Sequence, residues 1–174
     1  ERKKERALSL ESQTAPELST SALQVTMADG TKKPLDTERL QKILKEACNQ
    51  ISGTDPKALM EETKRALFDG VAEADVSNAA TMAARTFIER EPNYTYVAAR
   101  VLLDSLRQEA LTFVGGNREE ATQEEMSDQY PSYFESYIKK AISLELVDSR
   151  LGNYDLKRIG KALKPERDFN FNYL

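Results

Sequence analysis

Few side chains in this 174-residue chain have the types and spacing that catalysis or metal binding requires. The chain has one cysteine, Cys48, and no histidine, so the commonest general base and the commonest metal ligand are missing. A single thiol forms neither an intramolecular disulfide nor a CxxC zinc site. Cys48 stands near Leu44, Ala47 and Ile51, which is typical of a buried small hydrophobe. We therefore predict no catalytic residue and no metal site.

Three cations follow an Asp29-Gly30 turn. Lys32, Lys33 and Arg39 are close in sequence and are of the types that contact phosphate groups. Lysines in the arm of a hairpin are more often solvated surface charges, and this alternative stays open for Lys32 and Lys33.

The composition excludes several classes of partner. The formal net charge is -4 and 31% of the residues are charged, which describes a mildly acidic chain without the excess of positive charge that nucleic acid binding needs. The apolar runs are shorter than a membrane span, and the amino end lacks the apolar core of a signal peptide. We expect no nucleic acid partner, no membrane contact and a cytoplasmic location.

A β-hairpin is predicted over residues 23 to 35. Leu23, Val25 and Met27 alternate with other residues at the period of a half-buried strand. Asp-Gly between two strand-like arms favours a two-residue type I′ turn. Residues 32 to 35 form the second arm, in which Pro34 indicates an edge strand, and Asp36 or Thr37 is expected to cap the following helix.

Four amphipathic helices are predicted after the hairpin, at about 36 to 51, from Asp55-Pro56 onward, at about 74 to 89 and at 94 to 113. Residues 68 to 71 allow a short third strand. The last helix is expected to bury Leu102, Ser105 and Leu106 among other residues. The predicted fold class is mainly α: residues 22 to 114 form a four-helix bundle capped by a small β-hairpin or three-stranded sheet.

The remaining segments are assigned from their composition. Residues 1 to 21 are predicted to be a linker from an upstream module, although a disordered tail fits their ERKKER start almost as well. Residues 115 to 128 are predicted to be an acidic linker. Two further helices, one after Tyr130 and one at about 154 to 163, are expected to belong to a truncated domain over 129 to 174, with apolar surface left exposed.

Two phrases, REPNYTYVAARVLLDSLR and DLKRIGKALKPERDFNFNYL, together with the hairpin and four helices, resemble the amino-terminal part of class I ribonucleotide reductase large (α) subunits. Residues 22 to 114 are similar to the ATP-cone of that family, and residues 129 to 174 to the helical start of its catalytic domain. The ERKKER start suggests the inner cone of a tandem pair.

The resemblance implies a set of partners and effectors for the parent protein. These are an upstream ATP-cone and a downstream catalytic barrel in the same polypeptide, a radical-generating small subunit, thioredoxin or glutaredoxin as reductant, and a homo-oligomeric state. ATP and dATP are the implied effectors. The fragment itself is expected to catalyse nothing and to hold no cofactor.

The chain departs from the pattern that the resemblance implies for a nucleotide-binding cone. That pattern has Val-x-Lys-Arg-Asp/Asn-Gly at the first strand, where this chain has Met27 and Ala28 in place of the two cations. Other positions differ as well: Ser77 replaces a ligand-facing histidine, Gln108-Glu109 replaces a basic pair, and Glu73 replaces a small hydroxyl residue. Two lost charge-assisted hydrogen bonds cost about 3 to 6 kcal/mol of binding free energy.

Two functions from different classes follow from the resemblance. The first is a degenerate cone that binds no nucleotide and serves as a structural and allosteric spacer. The second is a functional ATP/dATP site that controls oligomerisation, for which Lys33, Asp36 and Arg39 are the candidate nucleotide-binding residues. A transcriptional repressor that joins a cone to a zinc ribbon is disfavoured, because one cysteine cannot build a four-thiolate site.

Overall fold

The computed structural model describes residues 23–173, which form a mainly helical fold with a small mixed sheet at one end. The sheet contains β1 (Gln24–Thr26), β2 (Lys32–Pro34) and β3 (Val71–Ala72) in the order β2-β1-β3. β1 pairs antiparallel with β2 and parallel with β3. The predicted third strand is confirmed, and Pro34 lies on an edge strand as predicted.

The turn of the hairpin differs from the predicted type I′. The amide of Met27 donates to the carbonyl of Thr31 over 2.8 Å and that of Gly30 donates to Met27 over 2.9 Å, so three residues, 28 to 30, form the loop. Gly30 has a φ of +82°, whereas Asp29 is outside the left-handed region. The Asp29 carboxylate accepts instead from the amide of Thr31 over 2.9 Å. This side-chain bond favours the three-residue turn over the two-residue one.

Four helices pack beside the sheet, as predicted: α1 (Thr37–Cys48), α2 (Pro56–Ala66), α3 (Glu73–Thr86) and α4 (Tyr94–Gly115). Asp36 caps α1 by accepting from the amide of Arg39, and Asp55 caps α2, in which Pro56 occupies the first turn. Their shared core also includes Val25 and Val71 of the sheet. Sheet and bundle are therefore one packed unit.

The prediction of which α4 residues are buried is wrong at Leu106. Leu106 is 43% exposed, while the side chains of Asp104 and Arg107 are buried. A prediction from hydrophobic periodicity places charged residues on the solvent face, and it cannot anticipate that two charges of opposite sign will be buried as a pair.

Residues 115 to 128, predicted to be a linker, include the start of a helix. The helix α5 (Gln123–Ser143) begins within the predicted acidic segment, where the Glu125 carboxylate accepts from the backbone amide of Thr122 over 2.9 Å. This carboxylate fixes the start of α5. The segment is irregular only from 116 to 122.

The carboxyl-terminal part of the chain packs on both α5 and the bundle. It contains a 3-10 turn (Ser149–Asn153), α6 (Leu156–Lys161) and a second 3-10 turn (Pro165–Asn170). α6 packs on α5, the second 3-10 turn contacts α4 and α5, and Tyr173 packs against the bundle core. Several apolar side chains are exposed here, including Leu144, Leu146, Tyr154 and Phe171. None of the described helices combines the length and apolarity needed to cross a bilayer.

Candidate functional site

A cleft of about 1090 Å³ opens between the sheet and the bundle. Its walls come from β1 and β2, the amino-terminal halves of α1 and α3, the middle of α4 and the segment between α4 and α5. The turn that follows β1 brings Met27 and Ala28 to one wall, and the Asp36 cap fixes the first turn of α1 at another. The cleft is therefore built by elements that are far apart in sequence.

The structure brings together the positions that the sequence analysis singled out. The three candidate binding residues, Lys33, Asp36 and Arg39, all line the cleft. So do the positions that depart from the nucleotide-binding pattern, which are Met27, Ala28, Glu73, Ser77, Gln108 and Glu109. Lys32 is absent from the lining. The departures thus share one surface.

Arg39 is held by two carboxylates from different parts of the chain. Its Nη2 atom lies 3.2 Å from both carboxylate oxygens of Asp104, and its Nε atom lies 2.7 Å from Oε2 of Glu120. Asp104 is almost fully buried and Glu120 is about 29% exposed. The guanidinium group therefore carries no unpaired positive charge into the cleft.

Arg118, which also lines the cleft, is paired in the same way. Its Nη2 and Nε atoms bond Oε1 of Glu120 over 2.6 and 3.0 Å, and its Nη1 atom bonds the Glu73 carboxylate. Glu120 consequently bridges Arg39 and Arg118. Sequence reasoning missed both Arg118 and Glu120, because they lie in a segment without periodicity whose return to the bundle only the fold specifies.

The electrostatic balance of the cleft is slightly negative. Among the described residues that line it, Lys33, Arg39 and Arg118 are cationic, while Asp36, Glu73, Glu109 and Glu120 are acidic, which gives a formal charge of -1. Lys33 lies close enough to Asp29 to help lower the pKa of that carboxyl, after the hydrogen bonds from Thr31 that are its main cause. An anion that enters the cleft meets four carboxylates.

A chain of polar contacts continues from the cleft into the segment after the bundle. Asp104 lies 3.6 Å from the Nη2 atom of Arg107, whose Nη1 atom donates to Gln123 over 2.7 Å. The Nε2 atom of Gln123 and the hydroxyl of Tyr130 both donate to Oδ2 of Asp168, over 3.1 and 2.6 Å. The cleft is thereby connected to α5 and to the second 3-10 turn.

Burial determines how the groups of this chain titrate. Burial raises the pKa of the Asp104 carboxyl, and the charges of Arg39 and Arg107 oppose that shift. Burial also raises the pKa of Tyr130, and its hydrogen bond to Asp168 shifts it further in the same direction. The polar contacts of this region therefore have a charged donor, Arg107, and neutral donors, Gln123 and Tyr130, in a partly desolvated environment.

Comparison with known proteins places the bundle in a known family. The family described as the ATP cone domain matches residues 23–109. The chain is similar to ribonucleoside-diphosphate reductase subunits alpha from Chlamydia muridarum, with 31% identity over 157 residues, and from Chlamydia pneumoniae, with 32% identity over 151 residues. A subunit alpha of Enterobacteria phage T4 is 30% identical over 156 residues. These matches cover 90%, 86% and 87% of this chain and 14%, 14% and 19% of the relatives.

Proposed function

This chain belongs to the ATP cone domain family, and on that premise we propose that it is the regulatory amino-terminal region of a ribonucleoside-diphosphate reductase subunit alpha, with a cone that binds no nucleotide itself. In this proposal the cone is a rigid spacer between neighbouring parts of one polypeptide. The chain spans about 14% of the length of the chlamydial relatives, so every property of the parent protein is part of the proposal.

The observation that carries the proposal is the pairing of the cleft's two guanidinium groups. Arg39 and Arg118 are both neutralised by carboxylates of the same chain, and the formal charge of the cleft is -1. A nucleoside triphosphate brings several negative charges. Apart from Lys33, the cations of the described lining are already paired, so those charges would lose their solvation and gain little in return, and binding is disfavoured.

The spacer role is supported by contacts between the bundle and the segment that follows it. The polar chain through Arg107, Gln123 and Asp168 runs between them, and Tyr173 packs against the bundle core. A module that passes on orientation needs two parts with fixed relative positions, and it needs no ligand of its own. We expect movement of the cone to carry the following helices with it.

The wider assignments are part of the same proposal. They comprise ribonucleotide reduction by the parent protein with thioredoxin or glutaredoxin as reductant, a radical-generating small subunit as partner, homo-oligomerisation and a cytoplasmic location. An upstream ATP-cone and a downstream catalytic barrel in the same polypeptide complete it. The similarity to subunits alpha over 86% to 90% of this chain supports these assignments.

A second function, ATP or dATP binding that controls assembly, is favoured by one observation. The cleft retains a volume of about 1090 Å³, and the candidate residues Lys33, Asp36 and Arg39 all line it. A closed or filled cleft would have left no space for an effector.

Isothermal titration of the 174-residue chain with ATP and with dATP, each with Mg²⁺, separates the two functions. If the cone is a spacer, we expect a dissociation constant above about 1 mM, which corresponds to less than about 4 kcal/mol of binding free energy. Micromolar binding of either nucleotide, accompanied by a change in oligomeric state in sedimentation, establishes the second function and refutes the first.

A further inference from the structure

Three side chains that line the cleft converge on the carboxylate of Glu120. Arg39 donates to Oε2 over 2.7 Å, and Arg118 donates to Oε1 over 2.6 and 3.0 Å. The side-chain amide of Gln108 also donates to Oε1, over 3.3 Å. Two guanidinium groups and an amide around one pair of oxygens are a typical environment for a bound oxyanion.

From this geometry we infer that Glu120 occupies, from within the chain, an oxyanion-binding position of the cleft. The external ligand class for that position is a phosphate-bearing anion, which binds when Glu120 is neutralised or displaced. This inference rests on the proposed function, since it gives the physical reason why the native cleft binds no nucleotide.

Each arginine of the cleft has two carboxylate partners. Arg39 is already paired with Asp104, and Arg118 is already paired with Glu73. Glu120 is therefore a second carboxylate for each arginine. Its neutralisation leaves each guanidinium with one acidic partner and brings the formal charge of the cleft from -1 to zero.

The location of Glu120 makes its displacement feasible. It lies in the irregular segment between α4 and α5, and its side chain is about 29% exposed, whereas the side chain of Asp104 is about 3% exposed. An anion from solvent can therefore reach the contacts of Glu120, while those of Asp104 are enclosed. Of the two acids that hold Arg39, Glu120 is the one that competes with a ligand.

The test compares Glu120→Gln with Glu135→Gln in the full 174-residue chain, with inorganic tripolyphosphate as the probe in isothermal titration. Glu135 is a matched control, because it is ion-paired with Lys139 over 2.6 Å on α5 and does not line the cleft. Both variants remove one paired negative charge, so an effect of net charge alone appears in both. We expect Glu120→Gln to bind at least about tenfold more tightly than Glu135→Gln, a difference of about 1.4 kcal/mol.

Two results overturn the inference. The first is a folded Glu120→Gln variant, with unchanged circular dichroism and Tm, that binds no more tightly than Glu135→Gln. The second is a gain that survives the additional substitution Arg39→Gln, because the inferred position requires that guanidinium. If Glu120→Gln lowers the Tm, Glu120→Asn repeats the test with a shorter amide. Binding of ATP by the unaltered chain refutes the spacer proposal, whereas failure of Glu120→Gln to gain affinity refutes only this inference.

Discussion

The Nη1 atom of Arg107 donates a hydrogen bond to the side-chain oxygen of Gln123 over 2.7 Å, and both side chains are buried. This contact joins the last helix of the bundle, α4, to the first helix after it. The Nε atom of Arg107 also donates to the carbonyl of Ala121 over 3.2 Å, so the connecting segment is fixed by the same guanidinium. Arg107 is thus a structural link between two parts that a composition-based division of the chain would separate.

Arg107→Met is expected to destabilise the fold by about 3 kcal/mol, because it leaves the buried Asp104 with one cation fewer and Gln123 without its donor. Urea denaturation followed by helical circular dichroism measures the loss. Arg65→Met is the control, since Arg65 is about 76% exposed and forms a surface ion pair with Glu62. A loss as small as that of the control, under about 1 kcal/mol, would contradict a linking role for Arg107.

Tyr130 is expected to make stability sensitive to alkaline pH. Burial raises its pKa in the folded state and the bond to Asp168 adds to that shift, so the unfolded chain releases the proton first, near pH 10. The stabilisation is complete below that pH and is lost as the pH rises toward the folded-state pKa. Urea denaturation from pH 8 to 10.5 is expected to show a smaller alkaline loss for Tyr130→Phe than for the unaltered chain. Tyr154→Phe, at a tyrosine that is 63% exposed, should retain the full loss; identical profiles for both variants would count against the Tyr130 assignment.

Gly160 permits the close approach of α6 to α5. A Cβ atom at this position would lie 2.7 Å from the carbonyl oxygen of Pro131 and 3.1 Å from its Cα atom, and backbone atoms cannot move aside cheaply. Gly160→Ala is therefore expected to cost about 1 to 3 kcal/mol and to increase hydrogen exchange in α6. Gly152→Ala is the control, because its nearest neighbour, Cδ1 of Ile142, is 3.4 Å away. Unchanged exchange in Gly160→Ala would show that the two helices are not in tight contact.

Phe169 attaches the second 3-10 turn to the bundle. Its ring centroid lies 4.5 Å from the guanidinium carbon of Arg100, whose Nη1 atom bonds the carbonyls of Ala47 and Asn49 at the end of α1. Phe169→Ala should cost about 0.5 to 1 kcal/mol more than Phe171→Ala, because the second ring is similarly exposed and has no cation over it in the described part of the chain. Equal losses in thermal or urea unfolding would rule out this cation–π contribution.

Much of the fold is a local property of the sequence, and for that reason it was predictable. Alternation at Val25, the proline at position 34 and the caps Asp36 and Asp55 act within a few residues, and the structure confirms the strands and helices that they predict. The turn type was missed because two local solutions compete at Asp29-Gly30, and the side-chain bond of Asp29 favours the longer loop.

By itself, the sequence determined the strands and the helices of the bundle, because these follow from periodicity, capping and turn residues. That positions 27 and 28 depart from a nucleotide-binding pattern is a prediction from the family resemblance. The tertiary structure alone decided how the charges pair. Asp104 and Glu120 meet Arg39 across 65 and 81 positions of chain, and Arg118 reaches Glu73 across 45. The electrostatic state of a cleft depends on distances and desolvation between such remote groups, and no local pattern encodes them.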